Sequence, residues 1–342
     1  MPELRKDVFR DNWVVIVAEN ALKPGQFPIN RNQVKANFDG SDCPFCEGHE
    51  GRTTPEILAI RLPGSSPDTP GWLVRTVPNK FAAFNLEGEL QRSREGLFER
   101  FNGLGHHEVV IETPWHYQEI QHRDIDHIAH LYRLLRQRYQ ELRGDDRIKY
   151  IQIYKNRGLF AGASQQHSHS QILAYPIVPK QCSAVGNYFE EYQRCLICDT
   201  IKAEFTNSIR IVAESEYFLV LCPYASRFSY EAWIIPKQHR EHYGGISDAE
   251  IGDLAILSKA YIGAMMETLD QPAYNISINT APVNSVLDKG FHWFMEISPR
   301  LMVQNGVEIG TGFYMNPVAP ERAAQILGQT MRACREESNY DK

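Results

Sequence analysis

Positive charge, long apolar runs and cysteine are all in short supply in this chain. Of 342 residues, 36 are Lys or Arg and 42 are Asp or Glu, for a formal charge of −6. Neutralising a phosphate backbone needs clustered cations. With no basic run longer than a few residues, the chain is not expected to take nucleic acid as a partner. No apolar stretch approaches the roughly 20 residues that span a membrane as a helix. The opening MPELRKDVFRDNW lacks the apolar centre of a signal peptide, so a cytoplasmic protein without a membrane partner is expected. Four of the seven cysteines form two CxxC pairs, Cys43/Cys46 and Cys195/Cys198. In a reducing compartment such pairs bind metal or do redox chemistry more often than they form disulfides. What remains is ordinary globular composition, 43% hydrophobic and 23% charged, long enough for about two domains.

The two pairs open segments that run in the same order. After the first comes a strand pattern at 108–114, His116, and an amphipathic helix pattern over 124–143. A second strand follows at 150–154, then a histidine strand at 167–173. After the second pair come a strand at 232–238, His239, a helix over 248–269, a strand at 274–278 and a histidine strand at 291–297. The offsets are 152 residues at the cysteines, 123 at the first histidine and 125 at the second. This predicts an α+β fold of tandem duplicated units. Each is a mostly antiparallel sheet with helices packed on it, over 1–180 and 181–342, with a linker near 176–187.

Each half offers four ligands for a tetrahedral ion: Cys43, Cys46, His116 and His167, then Cys195, Cys198, His239 and His292. Such closed sites are structural, and zinc is the expected ion, with iron as an alternative in the second. Redox chemistry is disfavoured because neither pair is followed by a helical pattern. In the run His167-Ser168-His169-Ser170-Gln171, strand alternation puts His167, His169 and Gln171 on one side. Upstream, Gly158, Gly162 and Ser164 are small enough to bring backbone N–H groups against phosphate oxygens. A histidine beside such a cradle suggests attack on phosphorus and a covalent intermediate. The alternative is that both histidines are ligands or satisfied core residues. In the second half Phe294 stands where the nucleophile would be, so only the first half is expected to be active. His106 and His107 read as surface or turn residues, and His122, His127 and His130 as solvated. Trp72, Trp115, Trp233 and Trp293 read as core.

CPFCEGHE at 43–50, TPEI at 54–57, WLVRTVPNKFAAF at 72–84, KNRGLFAGASQQHSHSQ at 155–171, HWFMEISPRL at 292–301 and VEIGTGFYMNPVAPE at 307–321 together resemble the galactose-1-phosphate uridylyltransferase family of the histidine triad superfamily. The resemblance implies ping-pong transfer of a nucleoside monophosphate, UMP first, between a nucleotide sugar and a hexose 1-phosphate. It makes His169 the nucleophile and sets Gln171 and Ser164 against the phosphoryl group. It places Asn79, Phe81 and Asn156 at substrate-contacting positions and repeats the first zinc set. A homodimer is also implied, in which Glu308, Gly310, Thr311 and Gly312 reach the partner's sugar site. Three departures stand out. HSHSQ replaces the usual HPHGQ or HPHPQ and resembles the ADP-glucose phosphorylase branch. Asn20 and Lys23 stand where the family has arginines, and Ala163 where some members have cysteine. An ADP-sugar phosphorylase using phosphate as acceptor is therefore the alternative.

Overall fold

The computed structural model describes residues 2–17, 22–27, 40–285 and 290–340, so Asn20 lies outside the described residues. Strands of the first part are β1 (Glu3–Asp7), β2 (Asn12–Ile16), β3 (Leu58–Arg61), β4 (Trp72–Pro78), β5 (Arg92–Glu95), β6 (Phe98–Phe101), β7 (His106–Ile111), β8 (Tyr150–Arg157) and β9 (His169–Tyr175). Those of the second are β10 (Ile211–Glu214), β11 (Phe218–Leu221), β12 (Ala232–Pro236), β13 (Tyr274–Asn279), β14 (Phe294–Pro299) and β15 (Tyr314–Asn316). The helices are α1 (Ile125–Arg143), α2 (Gln181–Tyr192), α3 (Leu196–Asn207), α4 (Asp248–Thr268), α5 (Gly306–Thr311) and α6 (Pro320–Tyr340). None is long and apolar enough to cross a membrane, among the described residues.

Ten strands form one sheet in the order β10-β11-β12-β14-β13-β8-β9-β7-β4-β3. Every neighbouring pair is antiparallel. The two parts of the chain meet where β8 pairs with β13, Ile153 opposite Ile278 through Arg157 opposite Tyr274. β1 and β2 form a small sheet with β15, so the two ends of the chain also come together.

Alternation along each strand divides the sheet into two faces. One buries Val110, Ile153, Ile172, Ile276 and Ile297 against Leu131, Leu134 and Leu135 of α1 and Leu254 and Leu257 of α4. The spacing of these helical residues makes the stripe that covers a sheet. Ser247 and Glu250 close a capping box at the start of α4. The opposite face carries His169 and Gln171. Cross-strand pairing continues it through Tyr154, Ser277 and Glu296 in one row, and through Asn156, Asn275 and Ser298 in the next.

The predicted helices match α1 and α4 to within a residue at either end. Other expectations need correction. The linker near 176–187 is partly helical, since α2 begins at Gln181. Cys195 caps α3, so the second CxxC does open a helix; its short apolar stretch shows little periodicity in sequence. Trp115 is 53% exposed, whereas Trp72, Trp233 and Trp293 are buried. His127 is buried, and its Nε2 donates to the Glu112 carbonyl at 2.8 Å.

Candidate active site and metal centres

His169 opens β9 and is 5% exposed. Its Nδ1 lies 2.8 Å from the carbonyl oxygen of His167. A carbonyl only accepts, so Nδ1 carries the proton and Nε2 keeps its lone pair. Burial, only partly countered by that backbone hydrogen bond, lowers the pKa, with Lys155 adding to the effect. The ring is therefore neutral at neutral pH. Phe45 packs against it edge-on, with centroids 5.4 Å apart.

His169 lines a cavity of about 310 Å³ together with Asn79, Phe81, Ser164 and Gln171. That volume suits a small ligand. Arg52 and Lys80 supply its cationic lining. Asn79 is held by its neighbours: its Oδ1 accepts from the Phe81 N–H at 2.9 Å and its Nδ2 donates to Gln171 Oε1 at 3.3 Å. His107 completes this cluster. Its Nδ1 accepts from the Ala83 N–H at 3.1 Å, which fixes the proton on Nε2, and Nε2 donates to Gln171 Oε1 at 2.8 Å. With Oε1 so engaged, the Gln171 amide nitrogen is left for the cavity. His107 is thus not a surface or turn residue. The sequence signal was its place two residues into an apolar strand that pairs with the histidine strand.

Asn156 and Gly162 sit beside this cavity rather than in its lining. Asn156 Oδ1 accepts from Asn275 Nδ2 at 2.8 Å, and that amide also reaches the Ala161 carbonyl at 2.8 Å. Gly162 takes the left-handed conformation, φ +83°, that closes the turn after Leu159–Ala161. Glu308, Gly310, Thr311 and Gly312 lie on α5 and its cap, exposed and outside the His169 cavity.

Sequence reading missed a buried ionic network on the helix face, behind the histidine. Glu112, just past β7, accepts from Arg123 Nη1 and Lys155 Nζ, each at 2.9 Å. Ser168 and Ser170 donate to the same carboxylate at 2.9 and 2.6 Å. The strand that presents His167 and His169 to one side is therefore anchored by its serines on the other.

The eight cysteines and histidines fall into the two expected clusters, each with donor atoms within 4.8 Å of one another. In the first, His167 Nε2 donates to the Thr113 carbonyl at 2.7 Å, leaving Nδ1 3.6 Å from both Cys43 and Cys46 Sγ. His116 Nδ1 is 3.4 Å from Cys46 Sγ. In the second, Cys198 Sγ is 3.3 Å from His239 Nδ1 and 3.4 Å from His292 Nδ1. An ion held tetrahedrally at ~2.3 Å from sulfur and ~2.0 Å from nitrogen has S···N edges of about 3.6 Å. Both clusters are compatible with metal binding.

In the second half Phe294 stands where His169 has its counterpart. Phe294 is buried there, tilted over Trp233 at 4.4 Å between centroids and edge-on to Phe9 at 4.9 Å. Phe9 closes this cluster from the N-terminal segment, and residues of α2 and α3 complete it.

Fold, histidine strand and comparisons together define a nucleotidyltransferase. The model of the galactose-1-phosphate uridyl transferase N-terminal domain matches residues 74–179. The chain is 36% identical over 336 residues to the ADP-glucose phosphorylase of Arabidopsis thaliana, covering 95% of this chain and 92% of that one. It is 30% identical over 343 residues to the galactose-1-phosphate uridylyltransferase of Thermotoga maritima, covering 96% and 99%. The crystal structure of the Arabidopsis ADP-glucose phosphorylase with bound ADP-glucose superposes with a TM-score of 0.79 at 32% identity, over 96% of this chain and 98% of that one. The chain belongs to the galactose-1-phosphate uridylyltransferase family.

Proposed function

We propose that the protein moves a nucleoside monophosphate, UMP in the first instance, from a nucleotide sugar to a hexose 1-phosphate through a covalent His169 intermediate. The observation that carries this reading is the tautomer of His169, whose unprotonated Nε2 belongs to a ring lining the cavity with Ser164 and Gln171. Nε2 attacks the α-phosphorus, a P–N bond forms, and the P–O bond to the sugar 1-phosphate breaks. The leaving phosphate is already anionic and needs no proton. Positive charge on the ring is met by the Nδ1–H bond to the His167 carbonyl. Charge on the phosphoryl oxygens is met by Ser164, the Gln171 amide and N–H groups of the 158–164 loop. Asn79 and Phe81 hold the nucleoside, and Asn156 and Gly162 border the transferred phosphate. An acceptor oxygen then reverses the first step. In this reading residues 1–180 form the active unit, and residues 181–342 a second unit without a nucleophile.

A second reading, an ADP-sugar phosphorylase, is favoured by the HSHSQ run and by the 36% identity to a protein of that name. Intact-protein mass after mixing with UDP-glucose or ADP-glucose separates the two. A uridylyl adduct supports the first and an adenylyl adduct the second. No adduct from either donor, on folded and metal-loaded protein, overturns both.

Zinc is the ion we assign to both clusters, with iron as the alternative in the second. In the first cluster the metal would fix His167 and hence the strand carrying His169. Cys43→Ser is expected to halve the bound metal, measured by elemental analysis, and to lower thermal stability by several degrees. Loss of the adduct should accompany it. Cys195→Ser should halve the metal yet leave the adduct in place. We further propose a cytoplasmic homodimer in which the exposed Glu308–Gly312 turn reaches the partner's site; light scattering at micromolar concentration tests it.

A further inference from the structure

A second polar cavity, of about 280 Å³, opens on the same sheet face as His169. Its lining includes Arg227, Asn275, Ser277, Glu296, Arg300 and Gln304, with the Glu296 carboxylate engaged by Arg10 and Arg227. It stands next to the 158–164 loop, separated from it by the Asn156–Asn275 hydrogen bond. Arg10 and Arg227 both pair with Glu296, Arg10 also with Asp7, and Arg227 with Glu231 at 3.9 Å. Among the described residues no carboxylate pairs with Arg300. Its guanidinium instead lies over the Phe228 ring, 4.5 Å from the centroid, with Arg227 5.2 Å from the same ring. Burial, and the positive Arg227 nearby, lower the pKa of Arg300. Arg227 Nε is buried without a hydrogen-bond acceptor. Two guanidinium groups flanking one ring, one of them without a counter-ion, make a site that an oxyanion would relieve. Around it stand polar groups for a hydroxylated ligand. Asn275 spends both amide protons on Asn156 and Ala161, leaving its Oδ1 to accept, while Ser277 and Gln304 face the cavity.

We propose that this cavity is a second binding site for a sugar phosphate, with the phosphate on Arg300 and the hydroxyls on Asn275, Ser277 and Gln304. It shares its ligand class with the nucleotidyl-transfer reading but does not depend on that reading. Neither bond making nor bond breaking takes place there.

The test is titration calorimetry on the full, metal-loaded chain with glucose 1-phosphate, and separately with inorganic phosphate. Arg300→Ala should remove one equivalent of glucose 1-phosphate per chain, or weaken it at least tenfold. Adduct formation at His169, read by mass, should be unchanged. Ser277→Phe, which fills the cavity and keeps the cation, should remove the same equivalent and guards against a folding defect in the first variant. Unaltered isotherms in both variants overturn the proposal, as does inorganic phosphate binding as tightly as the sugar phosphate. A chain that forms no adduct but still loses an equivalent with Arg300→Ala would reject the catalytic reading and leave this site standing.

Discussion

His169→Ala will form no nucleotidyl adduct and will lose on the order of 10⁴-fold or more in turnover, the scale seen when a covalent nucleophile is deleted. The ring is 5% exposed and held by one backbone hydrogen bond, so the cost to stability should stay within about 2 kcal/mol. Metal content should remain at the wild-type value, because the Cys43, Cys46, His116 and His167 cluster is untouched. Mass spectrometry, turnover and elemental analysis together check this outcome. An adduct that persists in the variant would move the nucleophile elsewhere. His169→Gln separates roles further: it keeps a polar side chain of similar reach without a comparable nucleophile, and should be as inactive as alanine.

Glu112→Gln will have the largest effect on folding. Burial alone would raise the pKa of this carboxyl, but Lys155 and Arg123 outweigh burial and hold it far below the usual carboxylate range. Replacing it with an amide leaves two buried cations without a counter-charge, which costs about 3–5 kcal/mol at neutral pH. The sign of the pH dependence follows from the lowered pKa. The folded state binds fewer protons than the unfolded state, so the stabilisation is complete above the unfolded carboxylate value. It is lost as pH falls toward the folded-state value, at up to about 1.4 kcal/mol per pH unit. The gap between wild type and Glu112→Gln in urea melts should therefore hold from pH 7 down to the ordinary glutamate value of about 4.3 and narrow below it. A gap below 1 kcal/mol at pH 7 would mean that the network contributes little.

The same network shows where reading the sequence stopped. The repeated order of CxxC, histidine, helix and histidine strand was legible because ligands and helices leave spaced marks in the chain. Strand alternation was enough to put His169 and Gln171 on one side. Ser168 and Ser170 stood out only as departures from a motif. Their use became clear once Glu112, Arg123 and Lys155, up to 58 positions away in sequence, were seen to converge on them. His107 was misjudged for a related reason: a histidine in an apolar strand carries no sign of which long-range partner it meets. Cys195 as a helix cap was missed because α3 opens on an apolar stretch too short to show its period.

The pairing of β8 with β13 has a consequence for how this chain can be cut. Removing everything after residue 180 would leave β8 with a bare row of N–H and C=O groups where Tyr274–Ile278 had been. Such an open edge recruits further strands and promotes aggregation. Residues 181–342 would then act as a fitted border, keeping the sheet that carries His169 from growing by adding copies of itself.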